Sequence, residues 1–369
     1  MRFLNKTPKG WQPSHCPNPK CGHHKPLSGE FPYKEDGSYL RKTDNRRIQR
    51  YLCLSCKRSF STQTFSVTYW LKNPHLIQKV FMKTVGGMAN RQIARDLKMN
   101  QGTVDGIISR MARHCFLFHQ QAVMTAAPPN EIVIDGFVSF ETSQFYPFHH
   151  HNAVEKDTDF FFFFTDSEVR RSGVMTAAQK LKRDQLEATH GRPDSQAERK
   201  DMTHLLQVTL ARQTSAVVHS DGHQSYPRAI RDTDCDIKHV VTPGKNHRDR
   251  RNKLWSINLL DSLIRHSGAN HKRETIAWSK RRQSSAERLM VFLVWRNYIK
   301  ARREKNPRGP TPAMARGMFD HPLSVEEIFD QRIFRDHVEL PERWAEYYDR
   351  KVVTRCQATN SVHDLEYAR

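Results

Sequence analysis

Two aspartates end apolar stretches of the sequence in the same way. "EIVID" ends at Asp135 and "SAVVHSD" ends at Asp221, and a glycine follows each of them. An aspartate at the end of an apolar strand is costly to bury unless it is paired or binds a metal ion. A single Asp-Gly is most often a turn, but the repeated pattern predicts two carboxylates at strand ends that meet at one site.

A third carboxylate lies on a predicted helix. The segment 252–266 has apolar residues at helical spacing, with Asp261 beside that face. Three converging carboxylates are hard oxygen ligands of the kind that hold Mg²⁺ or Mn²⁺. Ions held in this way activate a water or a 3′-hydroxyl and stabilise the leaving oxygen in phosphoryl transfer. Glu274 and Glu287 remain alternatives for the third position, because an insertion can separate the elements.

Strands and helices in the order needed to position these acids are predicted around them. The apolar runs predict strands that include an antiparallel meander, and the periodic segments predict helices on the faces of a mixed sheet. The strand segments are 131–140, 145–154, 159–169, 215–221 and 235–241, and the helical segments are 174–189, 200–213 and 252–266.

Four of the seven cysteines form two close pairs near the start of the chain. Four residues separate the first pair, two separate the second, and 31 lie between the pairs. Such knuckles place four thiolates around one ion in the tetrahedral geometry of structural Zn²⁺. The predicted ligands of this zinc ribbon are Cys16, Cys21, Cys53 and Cys56. The neighbouring His23 and His24 are expected at the surface.

A helix-turn-helix is predicted directly after the ribbon. Residues 74–118 have helical periodicity, interrupted by the turn "MNQG" at 99–102. Two short helices joined by a tight turn, the second of them basic, are typical of a unit that enters the major groove of DNA. The residues expected near DNA are Gln101, Thr103, Asp105 and Arg110. The alternative is a helical hairpin that only packs against its neighbour.

The charge of the chain favours a polyanionic partner. Lysine and arginine total 60 against 39 acids, a formal net charge of +21. Neutralised phosphates release counterions, so nucleic acid is the expected partner. No stretch approaches the roughly 20 apolar residues of a membrane span. The start, "MRFLNKTPKG", lacks the apolar region of a secretory signal, so a cytoplasmic, nucleoid-associated protein without a membrane partner is expected.

The order of zinc ribbon, helix-turn-helix and "IDG … SDG … NxxD" resembles the DDE-type transposases of bacterial insertion sequences, over roughly residues 14–356. The resemblance implies a ribonuclease-H-like catalytic domain. It implies that Asp135, Asp221 and Asp261 are the catalytic residues and the ligands of Mg²⁺ or Mn²⁺. Arg265 matches a basic residue that contacts DNA phosphate in some relatives. The third acid is usually Glu, so Asp261 is one methylene shorter than the family pattern.

A multidomain α/β protein is therefore expected. The expected ranges are 1–68 for the zinc ribbon, 69–127 for the helix-turn-helix domain, 128–310 for the catalytic domain and 311–369 for a C-terminal tail. The expected function is that of a transposase, which binds the terminal repeats of its element, cleaves DNA strands and joins them to target DNA. Such a reaction implies a homo-oligomer on double-stranded DNA. The alternatives are a DNA-binding regulator that lacks catalysis and a nuclease on the same fold.

Overall fold

The computed structural model describes residues 10–25, 30–272, 275–357 and 360. Within these residues the apolar side chains form a small cluster around the cysteines and a large cluster that contains the sheet. The class is mixed α/β, as expected. No helix in these ranges combines the length and the hydropathy that crossing a bilayer requires.

The small cluster lies under a three-stranded antiparallel sheet. Its strands are β1 (Tyr33–Arg41), β2 (Arg46–Cys53) and β3 (Ser59–Ser61), in that order. Aromatic rings fill the space between this sheet and the cysteines, with Tyr51 stacked on Phe60 at 5.7 Å between ring centroids. Phe334 from the C-terminal region completes the cluster, so the ribbon does not build its core from its own residues alone.

Three helices follow the ribbon. They are α1 (Leu76–Val85), α2 (Asn90–Asp96) and α3 (Gln101–Thr125). The Asn100 side chain accepts a hydrogen bond from the Gly102 N–H at 2.7 Å, which caps the start of α3. The helix then runs for 25 residues and ends at Thr125, seven residues after the end of the predicted helical segment 74–118. Its first turn is exposed, and the stretch 107–119 is buried in the large core.

A five-stranded mixed sheet forms the centre of the large core. Its strands are β4 (Glu131–Phe140), β5 (Pro147–Glu155), β6 (Phe161–Glu168), β7 (Ser215–Ser220) and β8 (Asp236–Val241). The order is β6-β5-β4-β7-β8, antiparallel from β6 to β4 and parallel from β4 to β8. The phenylalanines at 160–164 are fully or almost fully buried. Both faces of β6 are therefore covered, although β6 is an edge strand of the sheet.

Helices surround this sheet. They are α4 (Ala177–His190), α5 (Ala197–Thr209), α6 (Ser225–Arg231), α7 (Trp255–Ser267), α8 (Arg282–Val294), α9 (Pro312–Ala315), α10 (Val325–Phe329) and α11 (Glu342–Tyr348). Helix α8 is buried on nearly all sides because it packs against α1, α3, α7 and α11. Helix α7 packs on β4 and β5, where the Ser256 hydroxyl donates to the Lys156 carbonyl at 2.7 Å.

The C-terminal region is part of the core. Trp344 is fully buried, stacks on Phe163 at 4.5 Å between ring centroids and donates from Nε1 to the Phe164 carbonyl at 3.0 Å. Tyr347 is also fully buried and stacks on Phe116 of α3. Helix α11, which lies in the region expected as a tail, thus packs between α3 and the sheet. The large core is continuous from α1 through the sheet to α11.

Candidate active site and metal centre

Parallel pairing of β4 and β7 aligns the two aspartates that follow apolar runs. The register pairs Val133 with His219. Asp135 and Asp221 each lie two residues further along the chain, so the two carboxylates lie beside one another on neighbouring strands. Asp221 directly follows β7, as the sequence pattern predicts, but Asp135 lies inside β4, which continues to Phe140, and not at a strand end.

Asp135 is held at the sheet by two hydrogen bonds. Its Oδ1 accepts from the Gly136 N–H at 2.7 Å and from the Tyr226 hydroxyl at 3.4 Å. Burial raises its pKa to about 6, opposed by the Gly136 hydrogen bond and reinforced by the negative charge of Asp221. Asp221 in turn accepts from the His223 N–H at 2.9 Å. The two carboxylates are therefore close enough to repel one another.

Asp261 reaches the same place from α7. Its Oδ1 accepts from Asn152 Nδ2 at 3.3 Å, and Asn152 lies directly opposite Asp135 in the β4–β5 pairing. Burial and the negative charge of Asp135 raise the pKa of Asp261 to about 8, against the opposing effects of Arg265 and Asn152. A pKa this far above its ordinary value means that the three acids cannot all be ionised cheaply without a compensating positive charge.

An open cleft of about 280 Å³ adjoins these acids. Asp135 and Asp261 line it together with Asn258, Arg248 and Arg265. The Arg265 guanidinium lies over the Phe137 ring at 5.1 Å from the centroid and donates to the His271 carbonyl at 3.3 Å. Positive groups next to clustered carboxylates form an environment that suits a substrate carrying phosphate.

Tyr226 also belongs to this site, although the sequence analysis did not predict it. It is buried on α6, and burial together with the charges of Asp135, Asp221 and Asp261 raises its pKa well above the ordinary value. The phenol therefore contacts Asp135 and is exposed to the charges of all three carboxylates. The position of this tyrosine, five residues after Asp221 at the start of a helix, was the available signal. Asn152 was also missed because its role depends on the β4–β5 register.

The acidic site offers carboxylate oxygens, which are the donor atoms that a hard cation takes, and a cation would relieve their mutual repulsion. In the described part of the chain, the buried Oδ1 of Asn152 has no hydrogen-bond partner and adds a neutral oxygen near them. The group is wider than the cysteine cluster. Among the described residues, only the cysteines place one possible ligand atom each within 4.8 Å of all the others.

The two alternatives for the third acid differ from Asp261. Glu287 is buried on α8, where it accepts from the Ser109 hydroxyl at 3.0 Å and from Gln283 Nε2 at 3.1 Å. These bonds place it in the interior between α3 and α8, where it joins the helices. Glu274 lies outside the described residues. Asp261 is the acid that the structure brings next to Asp135.

The four cysteines form a compact cluster. The sulfur atoms of Cys16 and Cys56 are 3.6 Å apart, and those of Cys21 and Cys53 are 3.9 Å apart. A tetrahedral Zn²⁺ with Zn–S bonds of about 2.3 Å requires sulfur atoms about 3.8 Å apart. The Cys56 N–H also points to Cys53 Sγ at 3.5 Å, which stabilises a thiolate there. The donor set and its dimensions fit Zn²⁺.

His24 differs from its expected place at the surface. It is buried, its Nδ1 lies 2.8 Å from the Cys16 carbonyl oxygen, and its Nε2 lies 2.5 Å from Asp336 Oδ2. The ring of His337 stacks against His15 at 3.9 Å between centroids. His24 therefore joins the first knuckle to the C-terminal region and is not a surface residue.

Three of the four residues expected near DNA lie on the exposed first turn of α3. Gln101, Thr103 and Asp105 are exposed, and Asp105 accepts from Asn90 Nδ2 at 2.5 Å. Arg110 is the exception. It is buried, and its Nη1 donates to the carbonyls of Val67 at 3.1 Å and Tyr69 at 2.8 Å. The structure thus uses Arg110 to hold the chain between ribbon and α1, away from any DNA-facing surface.

No protein-family model and no curated protein matches the chain. Among solved structures, a chain of the simian T-cell lymphotropic virus intasome in complex with PP2A regulatory subunit B56 gamma is 13% identical, with a TM-score of 0.23, over 55% of this chain and 60% of that chain. A chain of the piggyBac transposase synaptic complex with hairpin DNA is 9% identical, with a TM-score of 0.34, over 80% of this chain and 72% of that chain. At such TM-scores neither likeness identifies the fold or the function.

Proposed function

We propose that the protein is a DDE-type transposase of a bacterial insertion sequence, with a ribonuclease-H-like catalytic domain. The observation that carries the proposal is the proximity of Asp135 on β4 to Asp221 after β7 and to Asp261 on α7, beside a cleft with two arginines. A mixed sheet flanked by helices, with two acids on adjacent parallel strands and a third on a later helix, supports the proposed fold.

Each side chain of the acidic site has a proposed role. Asp135, Asp221 and Asp261 hold Mg²⁺ or Mn²⁺, which when bound supplies Lewis-acid activation for phosphoryl transfer. Asn152 holds Asp261 in place through its Nδ2. Arg265 and Arg248 bind phosphate groups of the DNA in the cleft.

The remaining parts of the chain bind DNA in this proposal. A zinc-bound ribbon within 1–68 and a helix-turn-helix within 69–127, with Gln101, Thr103 and Asp105 facing the groove, bind the element's ends. The catalytic segment 128–310 is stabilised by 311–369, whose described residues share its core. The net charge of +21 supports contacts to both element and target DNA. A homo-oligomer brings the two ends together, in the bacterial cytoplasm at the nucleoid and without a membrane partner.

The experiment that tests the proposal uses purified zinc-loaded protein, Mg²⁺ and a duplex carrying the inverted repeats that flank its own gene. Strand cleavage and strand joining are measured for wild type and for Asp135→Asn, Asp221→Asn and Asp261→Asn. Asp234→Asn, on the exposed turn before β8, is the matched control. We expect both reactions to be lost in the three site variants and kept in the control.

Other outcomes separate the alternatives. Tight binding to the repeats without any cleavage by the wild type would replace the enzyme with a DNA-binding regulator. Cleavage without joined products would identify a nuclease on the same fold. If Glu274→Gln lost activity while Asp261→Asn stayed active, the proposed function would stand, and Glu274 would be the third acid in place of Asp261.

A further inference from the structure

Trp70 is an exposed tryptophan in a strained conformation. Its residue exposure is 72%, and its φ of +58° places it in the left-handed region that bulky residues rarely adopt. It lies between the ribbon and α1, outside both the acidic site and the first turn of α3. An exposed large ring and a strained backbone both oppose stability, and such outliers concentrate at binding sites.

The residues before Trp70 hold this conformation rigidly. The Thr68 N–H donates to the Ser66 hydroxyl at 3.0 Å, and both residues are almost fully buried. Arg110 donates to the carbonyls of Val67 and Tyr69, on either side of Thr68. A buried guanidinium from the core helix α3 thus fixes the backbone directly before the exposed ring. The backbone that carries the ring is therefore held in place by the protein itself, without a partner.

A groove of about 380 Å³ runs beside Trp70 on the surface of the ribbon sheet. The ring of Tyr69 stands perpendicular to that of Trp70 at 6.0 Å between centroids, and Tyr39 forms the opposite side with 41% of its surface exposed. Arg41 and Arg50 also line the groove, together with several hydroxyl side chains. The groove therefore offers flat rings, hydroxyl groups and positive charge in one place.

Both arginines that line the groove are ion-paired, but the segment of chain that carries them is basic. Arg50 Nη2 lies 3.0 Å from Asp36, and Arg41 is paired with Asp44. Residues 33–72 nevertheless contain nine lysines and arginines against three acids. An anionic partner is favoured, and an aromatic surface among cations suits a partner that combines a flat ring with a phosphate.

We propose that this groove binds an unpaired nucleobase of DNA, stacked on Trp70, with its phosphate next to Arg50. Bases in a duplex are stacked on their neighbours, so only an unpaired or extruded base reaches such a ring. The site therefore gives the protein an affinity for DNA ends or junctions that carry unpaired nucleotides. The inference rests on the proposed function only in taking DNA as the partner, since it involves no strand cleavage.

The test measures binding by fluorescence anisotropy with full-length, zinc-loaded protein without added Mg²⁺. The probes are a duplex of arbitrary sequence with blunt ends and the same duplex with unpaired nucleotides on either strand. We expect wild type to prefer the unpaired probe. Trp70→Ala should weaken that binding by about 5-fold to about 150-fold, the range for one lost base stack, and leave blunt-duplex binding unchanged. Trp70→Phe should keep most of the preference.

Controls make the test decisive. Leu181→Ala removes an apolar side chain with 62% exposure on α4 and should change neither affinity. An abasic unpaired position should reproduce the Trp70→Ala loss in wild-type protein. The inference would be overturned if the wild type bound both probes with equal affinity, or if Trp70→Ala lost the same affinity for both probes. Either result would leave the proposed function standing. A peptide that competes while unpaired DNA does not would assign the groove to a protein. No binding of wild type to any DNA would overturn both.

Discussion

Replacing Asp261 with asparagine should stabilise the protein in the absence of Mg²⁺, by an amount that grows with pH. Burial and the charge of Asp135 raise the pKa of Asp261 from its ordinary value of 3.8 to about 8. Asparagine has nearly the same shape but carries no ionisable group. The variant therefore avoids placing a negative charge beside Asp135 in a largely desolvated position, which is the situation that the proposed catalysis would require and that folding opposes.

The sign follows from proton binding. The folded-state pKa lies above the unfolded value, so between these two values the folded chain binds more protons than the unfolded chain. The stability of the wild type therefore falls as the pH rises from about 4 towards the folded pKa of about 8. At about 1.4 kcal/mol per pKa unit, the advantage of Asp261→Asn is at most about 2 kcal/mol at pH 5.5 and about 5 kcal/mol at pH 8. These are upper limits because Asp135 shares the repulsion and water enters the cleft.

The assay is unfolding by guanidinium chloride at pH 5.5, 6.5, 7.5 and 8, followed by tryptophan fluorescence. The protein is zinc-loaded and desalted, since a chelator would also strip the ribbon. Asp234→Asn is the control and should show a pH-independent difference from wild type. Added Mg²⁺ should stabilise the wild type and leave Asp261→Asn unchanged, because only the folded wild type binds it. A difference that stays constant or shrinks as the pH rises would refute the reasoning.

Three further predictions concern the ribbon and the core. Cys53→Ser should reduce bound Zn²⁺, measured by elemental analysis, from one per chain to almost none, because three thiolates bind zinc much more weakly than four. The ribbon of this variant should unfold at a lower temperature. An unchanged zinc content would show that the four cysteines are not the zinc ligands. Arg110→Met should lower the free energy of unfolding by about 2 kcal/mol through lost bonds to two carbonyls, while the salt dependence of DNA binding stays the same. A weaker dependence of DNA affinity on salt concentration in this variant would show instead that Arg110 contacts DNA phosphate. Glu287→Ala should destabilise the fold by about 3–5 kcal/mol, because it removes the buried carboxylate that Ser109 and Arg350 contact. Strand cleavage by the folded protein should nevertheless persist. Cleavage lost with unchanged thermal stability would make Glu287 a catalytic acid.

The elements that position the acids were predictable because their signals are local. The predicted strand 131–140 coincides with β4, and the segments assigned to the other four strands of the sheet contain β5 to β8 almost completely. An apolar run followed by Asp-Gly gives the strand and the acid it carries, although β4 continues past Asp135 to Phe140. Only the parallel pairing of β4 and β7, which depends on contacts 86 residues apart, needed the structure.

Residues whose roles depend on distant partners were not predictable. Arg110 has the same local setting as an arginine that faces DNA, and its burial follows from the continuation of α3 into the core. His24 pairs with Asp336, 312 residues away. The region after residue 310 has short helices with weak periodicity, so the burial of Trp344 and Tyr347 gave no clear signal in the sequence.

Helix α3 joins the exposed turn with Gln101 to the buried centre of the protein without a break. Its 25 residues span about 37 Å, and at the far end His119 contacts the Phe162 carbonyl and the Tyr298 hydroxyl at 2.9 Å each. A continuous helix of this kind fixes the distance between the exposed turn and the sheet, which also carries Asp135. In a protein that works as proposed, the bases contacted by the turn and the bond cleaved beside Asp135 are therefore kept at one separation. Each base pair inserted between them moves the bond by about 3.4 Å, and the protein has no joint at this point with which to follow it.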